Sequence, residues 1–384
     1  MTIINNQTKI ALFFGGKISQ HLVLIKKAAK KLGVRLDLVS YNRVCFDTEN
    51  LEVKIRENLE TGMEKKIKNE GWLGISDYDV LFFRTTGKHW EEVNLIVESL
   101  KSKSRKSEGR KPVVVDPLVL KGRPSDACKA YQMIELKKAG IPVPRTIYGS
   151  LWYLYEVMSR QTDSLSRQQI FCSCESAKQA QCHKKLLTPK DFCFPVILKG
   201  SGGDRGTRVF KAENLKELEE LVRQLRKSET EEGKRYMLEE FIENNGDYRV
   251  LVLGKKVLGV MKRSRQKEGE FRNNFSLGGK VEVADLPEQV KEMAVKAAKV
   301  CGLMVAGVDV IYRNPRQNFF ASVNLQSRFN DRKKTLTSGP KLPEYLVLEV
   351  NKGPQFKGFM EATGIDVPRE IVHFLASLKV SAKG

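Results

Sequence analysis

The sequence predicts an α/β protein built in three parts, and three features predict it. Strand-like and helix-like signals alternate over the first 124 residues, a glycine-rich loop sits between two short strands after Phe194, and two apolar strands near the C-terminal end carry acids. Alternation of this kind signals a parallel sheet covered by helices. The expected parts are residues 1–124, 125–237 and 238–384. An apolar content of 41% over 384 residues suits a buried core and excludes wholesale disorder.

In the first part KIALFF is a compact apolar run ending at Gly15-Gly16, and Leu22, Ile25, Ala29 and Leu32 then share one helix face. VRLDLVS alternates as a strand, while YDVLFFR and KPVVVD read as buried strands. The two glycines after the first strand lack the G-x-G-x-x-G pattern of a dinucleotide site, so a turn is the better reading. After a break at 122–125, Asp126 is placed to cap the helix DACKAYQMIELKKAG, which stops at Gly140. LWYLYEVM is a second helix.

Beyond it, FPVILKG is a strand, SGGDRGT a loop and RVF a return strand; LKELEELVRQL is an amphipathic helix with Leu215, Leu218, Val222 and Leu225 on one face. YMLEEFI and the hairpin DYRVLVLGKKVLGVMKR follow. The helix PEQVKEMAVKAAKV and the strands AGVDVIYR and YLVLEVN complete the pattern.

The formal net charge is +21, and its placement is uneven. Residues 101–111, 160–190 and 313–341 together carry +15 of it in polar stretches. Two accounts fit: a surface that faces an anionic partner, and charge that serves solubility. No apolar run is long enough to span a bilayer, and the N-terminal stretch lacks a basic region and cleavage site, so a cytoplasmic protein without membrane contact is expected.

Seven cysteines in a chain of this size do not suggest a disulfide framework. Cys45, Cys128 and Cys301 have apolar neighbours and read as small core residues. Cys172, Cys174, Cys182 and His183, with Cys193, could supply a zinc shell, but C-x-C is tighter than the usual C-x₂-C, and a reduced loop with no concerted role is the preferred account.

Four motifs carry the chemistry. Lys199 ends a strand ahead of Gly202, Gly203 and Gly206, whose backbone could approach phosphate oxygens; a plain hairpin turn explains the glycines as well. Glu239, Glu240 and Phe241 close a strand that could grip a purine and ribose, or be an edge strand with a solvated acidic end. Arg249, Lys262, Arg263, Arg272, Asn273 and Asn274 form a basic hairpin region suited to carboxylates or phosphoryl oxygens. Asp309 lies in one apolar strand, and Glu349 and Asn351 share one face of another. Hard oxygen donors on strands suit Mg²⁺, with a structural ion pair as the competing account.

Taken in order, Lys129, FPVILKGSGGDRG, LEEFI, DYRVLV, EFRNNFSLGG, AGVDV and EVNKGPQFKGFMEATGIDV resemble the ATP-grasp superfamily, and more narrowly its RimK-type carboxylate–amine ligases. The resemblance covers roughly residues 125–384 and implies an ATP-grasp fold behind an N-terminal α/β domain. It implies that Lys129, Lys199, Gly202, Gly203 and Gly206 meet ATP phosphates, joined by Arg272, Asn273 and Asn274. Glu240 and Phe241 would line the adenine pocket, with Asp247 on the ribose side. Asp309, Glu349 and Asn351 would hold Mg²⁺ or Mn²⁺, and Arg249 and Arg263 would receive a substrate carboxylate and steady its acyl phosphate.

The implied reaction joins an amino-acid or peptide carboxylate to an amine through an acyl phosphate, releasing ADP. Glutamate added to a peptide or acidic protein acceptor is the expected outcome. A small-molecule peptide ligase of the glutathione-synthetase or D-alanyl-D-alanine type and a non-catalytic ribosome- or RNA-binding protein are the alternatives. A homo-oligomer is expected. Arg208 stands where relatives often carry glycine, and Lys352-Gly353-Pro354 departs from the common turn after the metal strand.

Overall fold

Strand β1 (Lys9–Phe14) is buried along its length after Lys9, as a central strand of a sheet covered on both faces must be. The computed structural model describes residues 8–49, 52–55, 73–103, 111–121, 128–160, 192–201, 208–264, 280–314 and 344–378. In the first unit β1 pairs in parallel with β2 (Arg35–Ser40) on one side and β6 (Val80–Phe83) on the other, and β6 pairs in parallel with β7 (Val113–Val115). Ile10, Leu12 and Phe14 enter one core cluster, and Ala11 and Phe13 enter another. This alternation follows from the two-residue period of the strand.

Helix α1 (Gln20–Lys31) buries Leu22, Ile25, Ala28 and Ala29, and α2 is Trp90–Lys103. A small antiparallel sheet of β3 (Val44–Asp47), β4 (Glu52–Ile55) and β5 (Leu73–Gly74) was not read from the sequence. It explains one correction. Cys45 is exposed, because it lies on the outer strand β3, and Cys128 is only half-buried; of the three proposed core cysteines only Cys301 is buried. Burial pushes the Cys301 thiol up to about 12.

Helix α3 (Lys129–Lys138) has Cys128 at its N-cap and ends before Gly140, which takes a positive φ of 73°. Asp126, the expected cap, lies outside the described residues. Strand β8 (Thr146–Gly149) and helix α4 (151–160) follow.

An antiparallel sheet in the order β10-β9-β11-β8 contains β9 (Val196–Gly200), β10 (Val209–Ala212) and β11 (Tyr236–Glu240). Helix α5 (Leu215–Thr230) covers it, with Leu218 and Val222 buried and Leu215 and Leu225 half-buried. Asn214 caps this helix by accepting from the Glu217 amide at 3.0 Å. These elements close a core of their own, drawn from Leu151, Leu154, Met158, Phe192, Val196 and Leu238 among others.

The third unit is a five-stranded antiparallel sheet in the order β14-β13-β12-β15-β16. Its strands are β12 (Asp247–Leu253), β13 (Lys256–Ser264), β14 (Lys280–Ala284), β15 (Val305–Tyr312) and β16 (Tyr345–Lys352). Helix α6 (Glu288–Val300) lies on the face formed by Val250, Val252, Ala306 and Val308, together with Met133 and Leu136 of α3. The opposite face, with Leu251, Leu253, Met261 and Val305, meets α7 (Lys357–Thr363) and α8 (Val367–Ser377). Core membership departs from chain order here: Ile371, Val372 and Leu375 of α8 share a cluster with Leu22 and Ile25 of α1. No helix among the described residues is long and apolar enough to cross a membrane.

Candidate active site

The two antiparallel sheets and the C-terminal edge of the parallel sheet enclose a cleft of about 1020 Å³. Lys129, Lys199, Glu240, Phe241, Asp247, Arg249, Arg263, Asp309, Glu349 and Asn351 all line it, so ten positions drawn from distant parts of the sequence converge there. Gly202, Gly203, Gly206, Arg272, Asn273 and Asn274 lie outside the described residues, as do Cys172, Cys174, Cys182 and His183.

Register explains the convergence. Asp247 stands opposite Arg263, Arg249 opposite Asp309, and Asp309 opposite Glu349. Side chains at paired positions share a sheet face, so this one face carries a continuous polar cluster. Arg249 donates from Nε and Nη2 to the two oxygens of Asp309, both at 2.8 Å. Arg263 donates in the same way to Asp247 at 2.6 and 2.8 Å, and its Nη2 also lies 3.1 Å from Asp309. Asn351 Nδ2 donates to Asp309 at 3.0 Å.

Burial favours a neutral Asp309, but Arg249 and Arg263 overcome it and bring its pKa down to about 2. Burial, with the Asp309 charge behind it, pushes the Asp247 carboxyl up against the pull of Arg263 and Arg249. Arg263 itself is held above the usual arginine value by Asp247 and Asp309 in spite of its burial. Two fork-to-carboxylate bonds at these lengths favour the ionised pair.

Both arginines, expected to receive a substrate carboxylate, are paired with acids of the protein. Each already commits Nε and Nη2 to a carboxylate of the protein, because on neighbouring strands the pairing brings opposite charges together. For Asp309 the ion-pair account that the sequence left open is therefore what the structure displays.

Lys129 Nζ lies 3.2 Å from Glu349. Burial works against the ammonium, but Glu349, backed by Glu239 and Asp309, holds its pKa above the ordinary lysine value. Lys199 pairs with Glu239. Glu239 is only 3% exposed, and β11 is an inner strand, so the expectation of an edge strand with a solvated acidic end fails. Glu240 accepts from the Arg145 amide at 2.9 Å and pairs with Arg313. Lys211 sits 4.1 Å above the Phe241 ring.

Apolar side chains flank the charges. Ile197 and Val209 project from one sheet, and Met261, Ile311 and Leu348 from the other. A flat aromatic ring can be sandwiched between such walls, with a charged tail running toward Lys129 and Lys199. Among the described residues no three His, Cys, Asp or Glu side chains form a metal cluster. Asp309 and Glu349 with the Asn351 amide are nonetheless three oxygen-bearing groups at paired or alternate positions. Their chemistry fits a hard divalent ion.

The sequence reading missed the wall supplied by the first unit: Arg84, Thr85, Thr86, Lys88 and His89 border the same cleft. It also missed Arg313. Both Arg84 and Arg313 close an apolar strand run, which is the signal that could have found them.

These features define an ATP-grasp fold. Over 98% of this chain and 100% of its own, the ATP-grasp ligase PsnB in complex with a minimal precursor superposes with a TM-score of 0.56 at 15% identity. A RimK domain ATP-grasp protein from Sphaerobacter thermophilus does so with a TM-score of 0.55 at 14% identity, over 96% and 99% of the two chains. Residues 155–338 match the RimK-like ATP-grasp domain.

Among curated relatives, a probable alpha-L-glutamate ligase of Halorhodospira halophila is 35% identical over 183 residues, 47% of this chain and 50% of the relative. A probable alpha-L-glutamate ligase of Syntrophotalea carbinolica is 34% identical with the same coverage. The chain thus spans about half the length of the curated relatives it matches.

Proposed function

We propose that this protein is an ATP-dependent carboxylate–amine ligase that adds an amino acid such as glutamate to a peptide or protein acceptor. The observation that carries the proposal is the cleft itself. It combines apolar walls, two lysines and the Asp309–Glu349–Asn351 group between two sheets. The relatives named as glutamate ligases support the choice of amino acid. Peptide-bound neighbours of the same fold support a peptide acceptor.

In this reading a carboxylate oxygen attacks the γ-phosphorus of ATP, the bond to the β-phosphate oxygen breaks, and ADP leaves. The amine then attacks the acyl carbon of the acyl phosphate, phosphate departs, and the nitrogen loses a proton. Lys129 and Lys199 would offset charge on the phosphates, and the protein acts mainly through position and electrostatics. Asp309, Glu349 and Asn351 would hold Mg²⁺, which neutralises phosphate charge when bound. To take that role Asp309 must exchange part of its pairing with Arg249, and Glu349 its pairing with Lys129.

The test is ADP release in the presence of Mg²⁺, amino acids and candidate peptides, with products read by mass. A mass gain matching one or more amino acids, each less one water, with equimolar ADP, is expected. ATP hydrolysis without any amide product would sink the ligase reading.

The basic segments are proposed to recognise an acidic acceptor. Reversing Arg332, Lys333 and Lys334, which lie outside the described residues, should raise the acceptor KM severalfold and flatten its salt dependence while ATP affinity stays unchanged. Identical acceptor kinetics over a range of ionic strength would leave only the solubility account.

A further inference from the structure

The wall contributed by the first unit has the features of a binding site in its own right. From β1 the chain passes to β2 on one side, and later returns to place β6 on the other. In an open parallel sheet, ligands settle outside the carboxyl ends of the strands at such a reversal, because connections to opposite faces leave a crevice there. Gly15 and Gly16 follow β1 at this point, and Arg84, Thr85 and Thr86 follow β6; all line the cleft. The Gly15 amide donates to Thr85 Oγ1 at 2.6 Å, which joins the two strand ends. A Cβ on Gly15 would come within 2.3 Å of His89 Nε2, so glycine at this position makes room for the His89 ring against the end of β1.

Arg84 is 7% exposed. Its Nη2 donates to the Gly353 and Pro354 carbonyls at 3.0 and 3.2 Å. Its Nη1 is buried and has no hydrogen-bond acceptor among the described residues. A buried guanidinium N–H without an acceptor is unfavourable, and such groups call for a specific explanation. Burial draws the Arg84 pKa down to about 10, with Asp116 opposing, so the group is still cationic at neutral pH.

Lys352 adds a second charge, with Nζ 3.1 Å from Thr86 Oγ1, and the exposed Lys88 adds a third. The acids in the described cleft wall, Glu239, Glu240, Asp247, Asp309 and Glu349, all belong to the two antiparallel sheets. Off the lining, Asp116 acts on Arg84 and Glu92 pairs with His89, so the cations Arg84, Lys352 and Lys88 outnumber the acids at this end of the cleft.

It also adjoins the Arg249–Asp309 pair. A Cβ on Gly307 would lie 2.9 Å from Pro354 Cβ and 3.5 Å from Arg249 Cδ, so Arg249 and Pro354, whose carbonyl Arg84 holds, flank the same glycine. We propose that the crevice between β1 and β6 holds the α-carboxylate of the incoming amino acid, with Arg84 as its receiving fork and Lys352 beside it. The proposal rests on the ligase reading above. It gives the unreacting carboxylate of the amine substrate a receiver of its own, apart from Arg249 and Arg263, which are engaged by Asp309 and Asp247.

The experiment measures binding rather than turnover. Proteinogenic amino acids, each paired with its α-amide, are titrated into the full chain in the presence of Mg²⁺ and AMPPNP. The wild type should prefer the free carboxylate, and for one amino acid the preference should be about tenfold or more. Arg84→Lys should erase that preference while AMPPNP binds as before. Because Lys keeps the charge but not the fork, Lys352→Met is measured beside it and should weaken the preference by a smaller factor. A merely structural Arg84 would weaken acid and amide alike. A preference that survives in Arg84→Lys, or a wild type that does not distinguish acid from amide, overturns the proposal. Failure of the wild type to bind AMPPNP would instead count against the ligase reading, and the acid-to-amide ratio would still report on Arg84.

Discussion

Lys199→Ala is expected to lose ATP-dependent turnover in a protein that is also less stable. A charge-assisted contact to phosphate contributes ~1.5–3 kcal/mol, so its removal from the transition state slows turnover by about 10- to 150-fold. The structure adds a second effect. Lys199 is the partner of Glu239, whose Oε2 is buried without a partner among the described residues. Removing the ammonium leaves a buried carboxylate uncompensated, at ~3–5 kcal/mol.

The two effects separate in the double variant Lys199→Ala/Glu239→Gln, which should recover most of the stability and none of the turnover. Glu349→Ala should likewise stop turnover, since it removes an oxygen donor and leaves Lys129 without its 3.2 Å partner. Urea unfolding and ADP release, measured on the same preparations, check both statements. Near-normal ADP release by the double variant would remove Lys199 from the proposed site.

Arg263→Ala should cost ~3–5 kcal/mol of stability, because it strips the shared cation from two buried carboxylates. Asp247 and Asp309 are both in contact with the Arg263 fork, and all three are nearly inaccessible. Arg263→Lys should recover only part of the loss, since one ammonium cannot reproduce a planar fork. The pH dependence has a definite sign. Asp309 has a folded pKa of about 2, below the ~3.9 of an unfolded aspartate. Its contribution is therefore complete above about pH 4 and fades as pH falls toward 2. In Arg263→Ala the carboxylates protonate more readily, so the gap between variant and wild type should narrow on acidification. Urea midpoints between neutral pH and about pH 3 test this, and a gap that stays constant with pH would contradict the buried-pair account.

Much of the fold was legible because strands covered on both faces read as continuous apolar runs. KIALFF, YDVLFF and VVV needed no partner information to be recognised. The pairing of Glu349 with Asn351 on one face followed from their spacing alone. What could not be read was which strand lies beside which. Asp247 is 16 residues from Arg263, and Arg249 is 60 from Asp309. Only the register shows that these charges satisfy one another, and with it that the two arginines are engaged. Arg84 escaped for the same reason: its contacts to Gly353 and Pro354 span 269 and 270 residues. The β3–β5 sheet escaped because its strands are too short to carry a periodic signal.

The separate core beneath the β8–β11 sheet has a mechanical consequence. Among the described residues its cluster draws on positions from Ile147 to Leu238 and on none in the other units, whereas α8 and α1 bind the parallel and five-stranded sheets into one mass. Arg145 and Glu240 tie together the two strand ends at which the chain enters and leaves this sheet, through the Glu240 amide to the Arg145 carbonyl at 3.0 Å and the Arg145 amide to the Glu240 carboxylate. A body with its own interior, hung from two adjacent strand ends, is also held by the Lys129 amide, which donates to the Ser201 carbonyl at 3.1 Å, and by the Arg313–Glu240 pair. The roof that carries Lys199 thus meets the floor that carries Asp309 through polar links rather than through a shared core, and polar links can be exchanged for water at a smaller net cost than buried apolar surface.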